Sequence, residues 1–251
     1  MKRFHLTFLI FLFAGLAAAA EPAPFEKANS MFKSGDIAAA AAAYRHILAT
    51  DGPSAAVLFN LGNCDQHLGH YGPAILDYER ARLIDPRDPD LSANLALARK
   101  SAAVFEEPGR FPRVDEFFDY LSLNEWSWLV AGAAILVGCA ALLRGVVRLR
   151  ARWMVLGLRS ALVLAFVAIG LGSAALVLRR DERNLGVVLT ENAVVRLSPF
   201  GTAESQGTAA PGRIVHMLKS ENGYHFIEVP GTELRGWMSD KDVSPIQTAH
   251  L

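Results

Sequence analysis

The sequence predicts a multidomain membrane protein: an α-helical repeat domain, a transmembrane helical hairpin and a small all-β barrel. Three observations carry this. Apolar residues collect into three blocks, at 4–20, 126–143 and 160–178. Between 21 and 108 a residue pattern recurs at a 34-residue shift. Beyond residue 184 the pattern changes to short β-type runs punctuated by glycine turns.

The N-terminal block has Lys2 and Arg3, an apolar stretch, then Ala17-Ala18-Ala19-Ala20 before Glu21. A basic start, an apolar centre and an A-x-A ending describe a secretory signal peptide over 1–20, with cleavage after Ala20 as the natural choice. An uncleaved signal anchor is the alternative. Across the 251 residues, 25 basic side chains balance 25 acidic ones, which leaves no cationic excess to neutralise phosphates and argues against a nucleic-acid partner. Two cysteines make no disulfide framework, and Cys64 and Cys139 read as small apolar residues that are not bonded to each other.

Residues 21–108 form the predicted helical repeat. Asn60-Leu61-Gly62-Asn63, Gly69, Tyr71, Ala74, Ile75, Tyr78, Ala81, Asp85 and Pro86 define its middle copy. Shifting back by 34 residues pairs Gly69 with Gly35, Ala74 with Ala40, Tyr78 with Tyr44 and Asp85 with Asp51. Shifting forward pairs Asn60-Leu61-Gly62 with Asn94-Leu95-Ala96, so the third copy reduces to a lone capping helix from Leu91. Gly62 and Ala74 are small where helices cross closely, and Pro86 ends the second helix of its pair.

This segment resembles the tetratricopeptide repeat. The resemblance implies that first helices line a groove gripping an extended peptide, here through Asn29, Phe32, Asn60, Asn63, Gln66, Asn94 and Lys100. Asn29, Asn60, Asn63 and Asn94 are the candidate peptide-binding residues, because an amide both donates and accepts hydrogen bonds. Asparagines are also common in this repeat for structural reasons, and both readings stand. The basic clamp that some family members add for a terminal carboxylate is incomplete, with Asp90 and Asn94 at two of its positions. Cys64, His67 and His70 invite a metal reading. The repeat register accounts for that stretch without one, and no cofactor is expected.

Residues 109–125 read as a linker with Pro112 and mixed charges, leading to the aromatic cluster Phe117, Phe118 and Tyr120 at the membrane interface. The blocks 126–143 and 160–178 hold eighteen and nineteen uncharged residues, enough to span a bilayer core of about 30 Å. Between them, 144–159 carries Arg144, Arg148, Arg150, Arg152 and Arg159 without an acidic residue. The positive-inside rule makes that loop cytoplasmic, and both termini then face outward, periplasmic in a bacterial inner membrane. Small residues recur at four-residue spacing: Ala134 and Gly138 in the first span, Ala168 and Gly172 or Gly170 and Ala174 in the second. Such faces serve either a dimer or packing within the hairpin.

Five β-type runs are expected in 185–246: Val187-Val188-Leu189, Ala193 to Leu197, Ile214 to Leu218, Tyr224 to Val229 and Gly236 to Met238. Val194-Val195-Arg196-Leu197-Ser198-Pro199, the turn Asn222-Gly223-Tyr224 and Gly236-Trp237-Met238 resemble bacterial SH3-like domains. Leu197-Ser198 departs from the usual opening. Trp237 reads as core or as a ligand platform. Some domains of this type bind peptidoglycan peptides, which the expected compartment suits.

No nucleophile–base pair, phosphate loop, metal-ligand set or carboxylate pair emerges, so the chain is not expected to be an enzyme. Its module order resembles the E-type proteins of the Bacteroides aerotolerance group. That resemblance implies membrane or periplasmic protein partners, namely von Willebrand A-type proteins and a MoxR-like ATPase system. The function expected is a non-enzymatic, membrane-anchored scaffold for protein–protein interaction in an aerotolerance or envelope-stress complex. The alternative is a cell-wall sensor that binds peptidoglycan through its SH3-like domain.

Overall fold

A computed structural model describes residues 23–104, 112–146 and 152–247. The expected signal peptide, Arg148 and Arg150 lie outside them. Among the described residues five helices come first: α1 (Pro24–Lys33), α2 (Ile37–Asp51), α3 (Ala55–His67), α4 (Tyr71–Ile84) and α5 (Pro89–Ser101). They are joined by short turns and pack on their sequence neighbours.

The helix ends repeat with the sequence. Ser54 caps α3 by accepting from the Val57 amide at 3.3 Å, and Asp88, 34 residues on, caps α5 through Asp90 N and Leu91 N at 2.9 and 3.2 Å. Gly35 and Gly69 follow α1 and α3 at φ +86° and +78°, a left-handed exit that satisfies the last carbonyls. The third copy makes the same exit with Ala103, at φ 54°. In the middle pair a Cβ on Gly62 would lie 2.6 Å from the Tyr78 ring, so the close crossing read from the sequence is present. Tyr44 and Tyr78, 1% and 0% exposed, occupy equivalent places in the two hairpins.

The linker contains a helix, α6 (Pro112–Asp119). Next come α7 (Leu123–Val146) and α8 (Arg152–Leu178), which among the described residues are the two helices long and apolar enough to cross a membrane. Only 17% of each apolar window is buried within the molecule, unlike the core helix of a soluble domain. Trp126, Ala133 and Ala140 of α7 are buried, as are Ala165, Gly172 and Ala175 of α8. Of the small-residue faces, Gly172 lies in this seam, where an added Cβ would meet Val130 at 2.4 Å. Ala134, Gly138 and Gly170 face away from it. The α7 seam therefore runs on a seven-residue spacing rather than the four-residue one. At the end of this seam next to α6, Trp126 Nε1 donates to Phe118 O at 2.9 Å, and Arg179 donates to Phe118 O and Leu121 O.

After a 3-10 turn (Arg180–Asn184), the C-terminal part is an antiparallel seven-stranded sheet: β1 (Leu185–Val188), β2 (Ala193–Arg196), β3 (Ser205–Ala209), β4 (Ile214–Glu221), β5 (Tyr224–Glu228), β6 (Arg235–Ser239) and β7 (Val243–Pro245). Its order is β3-β2-β6-β5-β4-β1-β7. Five strands match the expected runs. The polar β3 and the three-residue β7 carry no apolar alternation and were not anticipated. Asn222 and Gly223 make the β4–β5 turn with positive φ at both.

Sheet and helices share one core. Leu58, Ile75, Tyr78, Leu91, Leu95 and Ala98 cluster with Val187 and Ile246. A Cβ on Gly72 would stand 2.5 Å from Leu189 O, and one on Gly212 2.4 Å from Ile75 Cδ1. Arg80 of α4 donates to Pro245 O at 2.8 Å, Ser244 Oγ at 3.1 Å and Ile246 O at 3.3 Å. It thereby satisfies acceptors at the end of the edge strand β7.

Candidate functional site

The four candidate asparagines sit on the first helices of their pairs, α1, α3 and α5, and all are half-buried. Asn29 Oδ1 accepts from Tyr44 Oη at 2.5 Å and from Asn60 Nδ2 at 3.2 Å. Asn63 Oδ1 accepts from Tyr78 Oη at 2.7 Å and from Asn94 Nδ2 at 2.8 Å. A shift of 34 residues maps the first triad onto the second, atom for atom. Each triad links both helices of one pair to the first helix of the next. Burial pushes the Tyr44 phenol up to about 12 and the Tyr78 phenol further, so both stay protonated donors.

The four residues therefore form one amide ladder in which the Asn29 and Asn63 carbonyls are occupied by the protein itself. Among the described residues, their Nδ2 groups and the Oδ1 groups of Asn60 and Asn94 carry no hydrogen bond. Both functions of an amide remain for a ligand, in alternation along the first helices. Gln66 also accepts from Tyr78, at 3.0 Å, while Lys100 is exposed and Phe32 packs edge-on against His67 at 5.4 Å. The ladder ends at Leu97, which stands where Asn29 and Asn63 stand and is 50% exposed.

Charged pairs follow the same register. Asp65, 1% exposed, accepts from Arg45 Nη2 through both carboxylate oxygens, at 2.7 and 2.9 Å, and lies 3.3 Å from His70 Nδ1. The equivalent positions in the next junction are Glu79 and Arg99, which also form an ion pair but with the signs exchanged. Glu79 additionally holds Arg82 at 2.9 Å. Asp77, 6% exposed on α4, has its carboxyl pushed up to about 7 by burial, then by the Asp65 charge, against the pull of Arg80 and Arg45. The 34-residue shift, applied to charged residues as well as to glycine and tyrosine, would have shown Arg45–Asp65 over Glu79–Arg99. Arg80 and Gly72 leave no local signal, because their partners lie more than 100 residues away.

On the sheet, Trp237 is 5% exposed and packs edge-on against Phe226 at 5.4 Å. The Lys219 ammonium sits 4.7 Å from the Trp237 ring centre. The indole is thus core, roofed by the chain's own cation. Cys64 is buried, Cys139 is exposed on α7, and both are free thiols. Among the described residues no group of three or more His, Cys, Asp or Glu is placed to hold a metal. No known family, curated protein or solved structure matches this chain.

Proposed function

We propose that the protein is a non-enzymatic scaffold anchored by two transmembrane helices, with both soluble modules at the periplasmic face of a bacterial inner membrane. The observation that carries the reading is the core shared by residues before α7 and after α8. Segments that pack together must lie on one side, so an even number of crossings separates them. The basic loop between the spans then faces the cytoplasm. In this reading the helices are tetratricopeptide repeats, the sheet is an SH3-like domain, and Asn29, Asn60, Asn63 and Asn94 hold an extended protein segment through the free half of each amide. The resemblance to the E-type aerotolerance proteins makes von Willebrand A-type membrane proteins and a MoxR-like ATPase the partners to look for. Peptidoglycan binding is disfavoured by the roofed Trp237.

The test has two arms. Ser34→Cys and Ser239→Cys should both react with an impermeant thiol reagent in intact spheroplasts, and labelling of only one refutes the topology. Crosslinking pulldown from native membranes should recover a protein partner that Asn60→Ala with Asn63→Ala releases. Retention on purified sacculi, with no protein partner, would favour the wall sensor instead.

A further inference from the structure

The end of the hairpin next to α6 is also where the sheet begins. Arg179 follows α8 there and reaches Phe118 O and Leu121 O, and the 3-10 turn Arg180–Asn184 runs straight into β1. β4 packs against that turn. The antiparallel register pairs Leu185 with His216, so β4 travels toward the turn as β1 leaves it. Met217 and Leu218 come next along β4, on the side of the turn.

A β-bulge decides where Leu218 goes. Met217 pairs with Ile227, but the next partner, Phe226, takes Lys219 rather than Leu218. Met217 stays on the sheet core and Lys219 on the Phe226 and Trp237 rings. Leu218 is the extra residue, left out of the ladder and 58% exposed. A lone exposed leucine is ordinary on a soluble surface. This one lies beside the turn through which the chain leaves a long apolar helix. Arg179 sets the α6–α7 turn at the same level, and there Phe117 and Tyr120 are 52% and 64% exposed. Arg180 and Arg183 of the 3-10 turn are exposed as well.

We infer that the β4 bulge docks the β-module on the lipid surface, with Leu218 set at the boundary of headgroups and acyl chains. Arg180 and Arg183 then lie among lipid phosphates, and the rings of α6 enter the same layer. Lipid is the occupant because the patch continues the surface of an apolar helix without a break. The inference rests on the reading of α7 and α8 as spans, and the test separates the two.

Full chains with Cys64→Ala and Cys139→Ala are reconstituted in phosphatidylethanolamine–phosphatidylglycerol vesicles. Nitroxide labels are placed singly at Leu218→Cys, at the exposed Val167→Cys of α8 and at the exposed Ser34→Cys after α1. Collision with oxygen, which concentrates in lipid, is compared with collision with a water-soluble nickel chelate. Val167→Cys and Leu218→Cys should favour oxygen, and Ser34→Cys the chelate. Chelate preference at Leu218→Cys, with oxygen preference at Val167→Cys, overturns the docking and leaves the spans standing. Chelate preference at Val167→Cys refutes the spans and the docking together. Low collision with both reagents at Leu218→Cys marks contact with a second copy or another protein, and it also overturns the lipid assignment. A label at Ser220→Cys keeps the leucine in place. Adding Leu218→Glu should raise chelate collision there toward the Ser34→Cys level, and an unchanged value would show that the leucine holds nothing.

Discussion

Asp77→Asn is expected to stabilise the protein at neutral and alkaline pH and to leave it little changed near pH 4. The carboxyl lies 6% exposed on α4, with Asp65 as its like-charged neighbour, and its pKa rises from 3.8 to about 7. A group that binds its proton more tightly folded than unfolded contributes nothing below the unfolded pKa. It then costs stability as pH climbs toward the folded one. The parent should therefore lose stability between about pH 4 and 7 and remain level above that. A rise of this size corresponds to at most about 4 kcal/mol, and movement of Arg80 toward the ionised carboxylate reduces it, so ~2–4 kcal/mol is the expected gain at pH 8. The amide keeps the shape and cannot ionise. Urea unfolding of the full chain in detergent, followed by circular dichroism from pH 4 to 8, measures both profiles. Parallel profiles, or a variant less stable than the parent at pH 8, would refute the assignment of a buried, destabilising carboxylate.

Two further outcomes follow from the repeat register. Glu79→Arg should destabilise by about 3–5 kcal/mol by setting a second guanidinium against Arg99, and adding Arg99→Glu should restore most of the loss in the same melts. Failure of the double variant to recover would mean that the reversed polarity of this junction is not interchangeable with that of Arg45–Asp65. Ala103→Gly should raise the thermal midpoint, since alanine at φ 54° carries about 1 kcal/mol of left-handed strain that glycine relieves at some cost in chain entropy. A lowered midpoint would show that the methyl group packs usefully.

The helical part was legible because its constraints are local and periodic. A turn glycine, a buried tyrosine and a small residue at a crossing each recur with the period, so one copy predicts the next. The two apolar helices were legible from length alone. The roles of the asparagines were only half legible, because an amide that links two helices and an amide that meets a ligand obey the same spacing. Tyr44 and Tyr78 settle part of it by occupying the Asn29 and Asn63 carbonyls. Docking of sheet on helices was not legible. Gly72 follows Tyr71 like any helix-start glycine, Arg80 reads as a solvated charge, and Gly212 reads as a turn. What defines all three is a surface contributed by chain that follows both long apolar helices. The strand β3 escaped because Ser205–Ala209 places only the small Ala209 in the core and is otherwise polar or glycine, as an edge strand in water can be.

The end of the amide ladder at Leu97 bears on self-assembly. A stack of helical hairpins with matching ends could polymerise head to tail, each copy's α1 laid against the next copy's α5. In the ladder every junction needs an amide donor at the position of Asn60 and Asn94 and a carbonyl at that of Asn29 and Asn63. A second copy would bring Glu26 to the donor position and find Leu97 in place of the acceptor. A carboxylate has no proton to give, and leucine has nothing to receive one. Stripping water from that charge against an apolar side chain costs several kcal/mol. A head-to-tail contact that extended the ladder is thus disfavoured at the level of two side chains, Glu26 and Leu97.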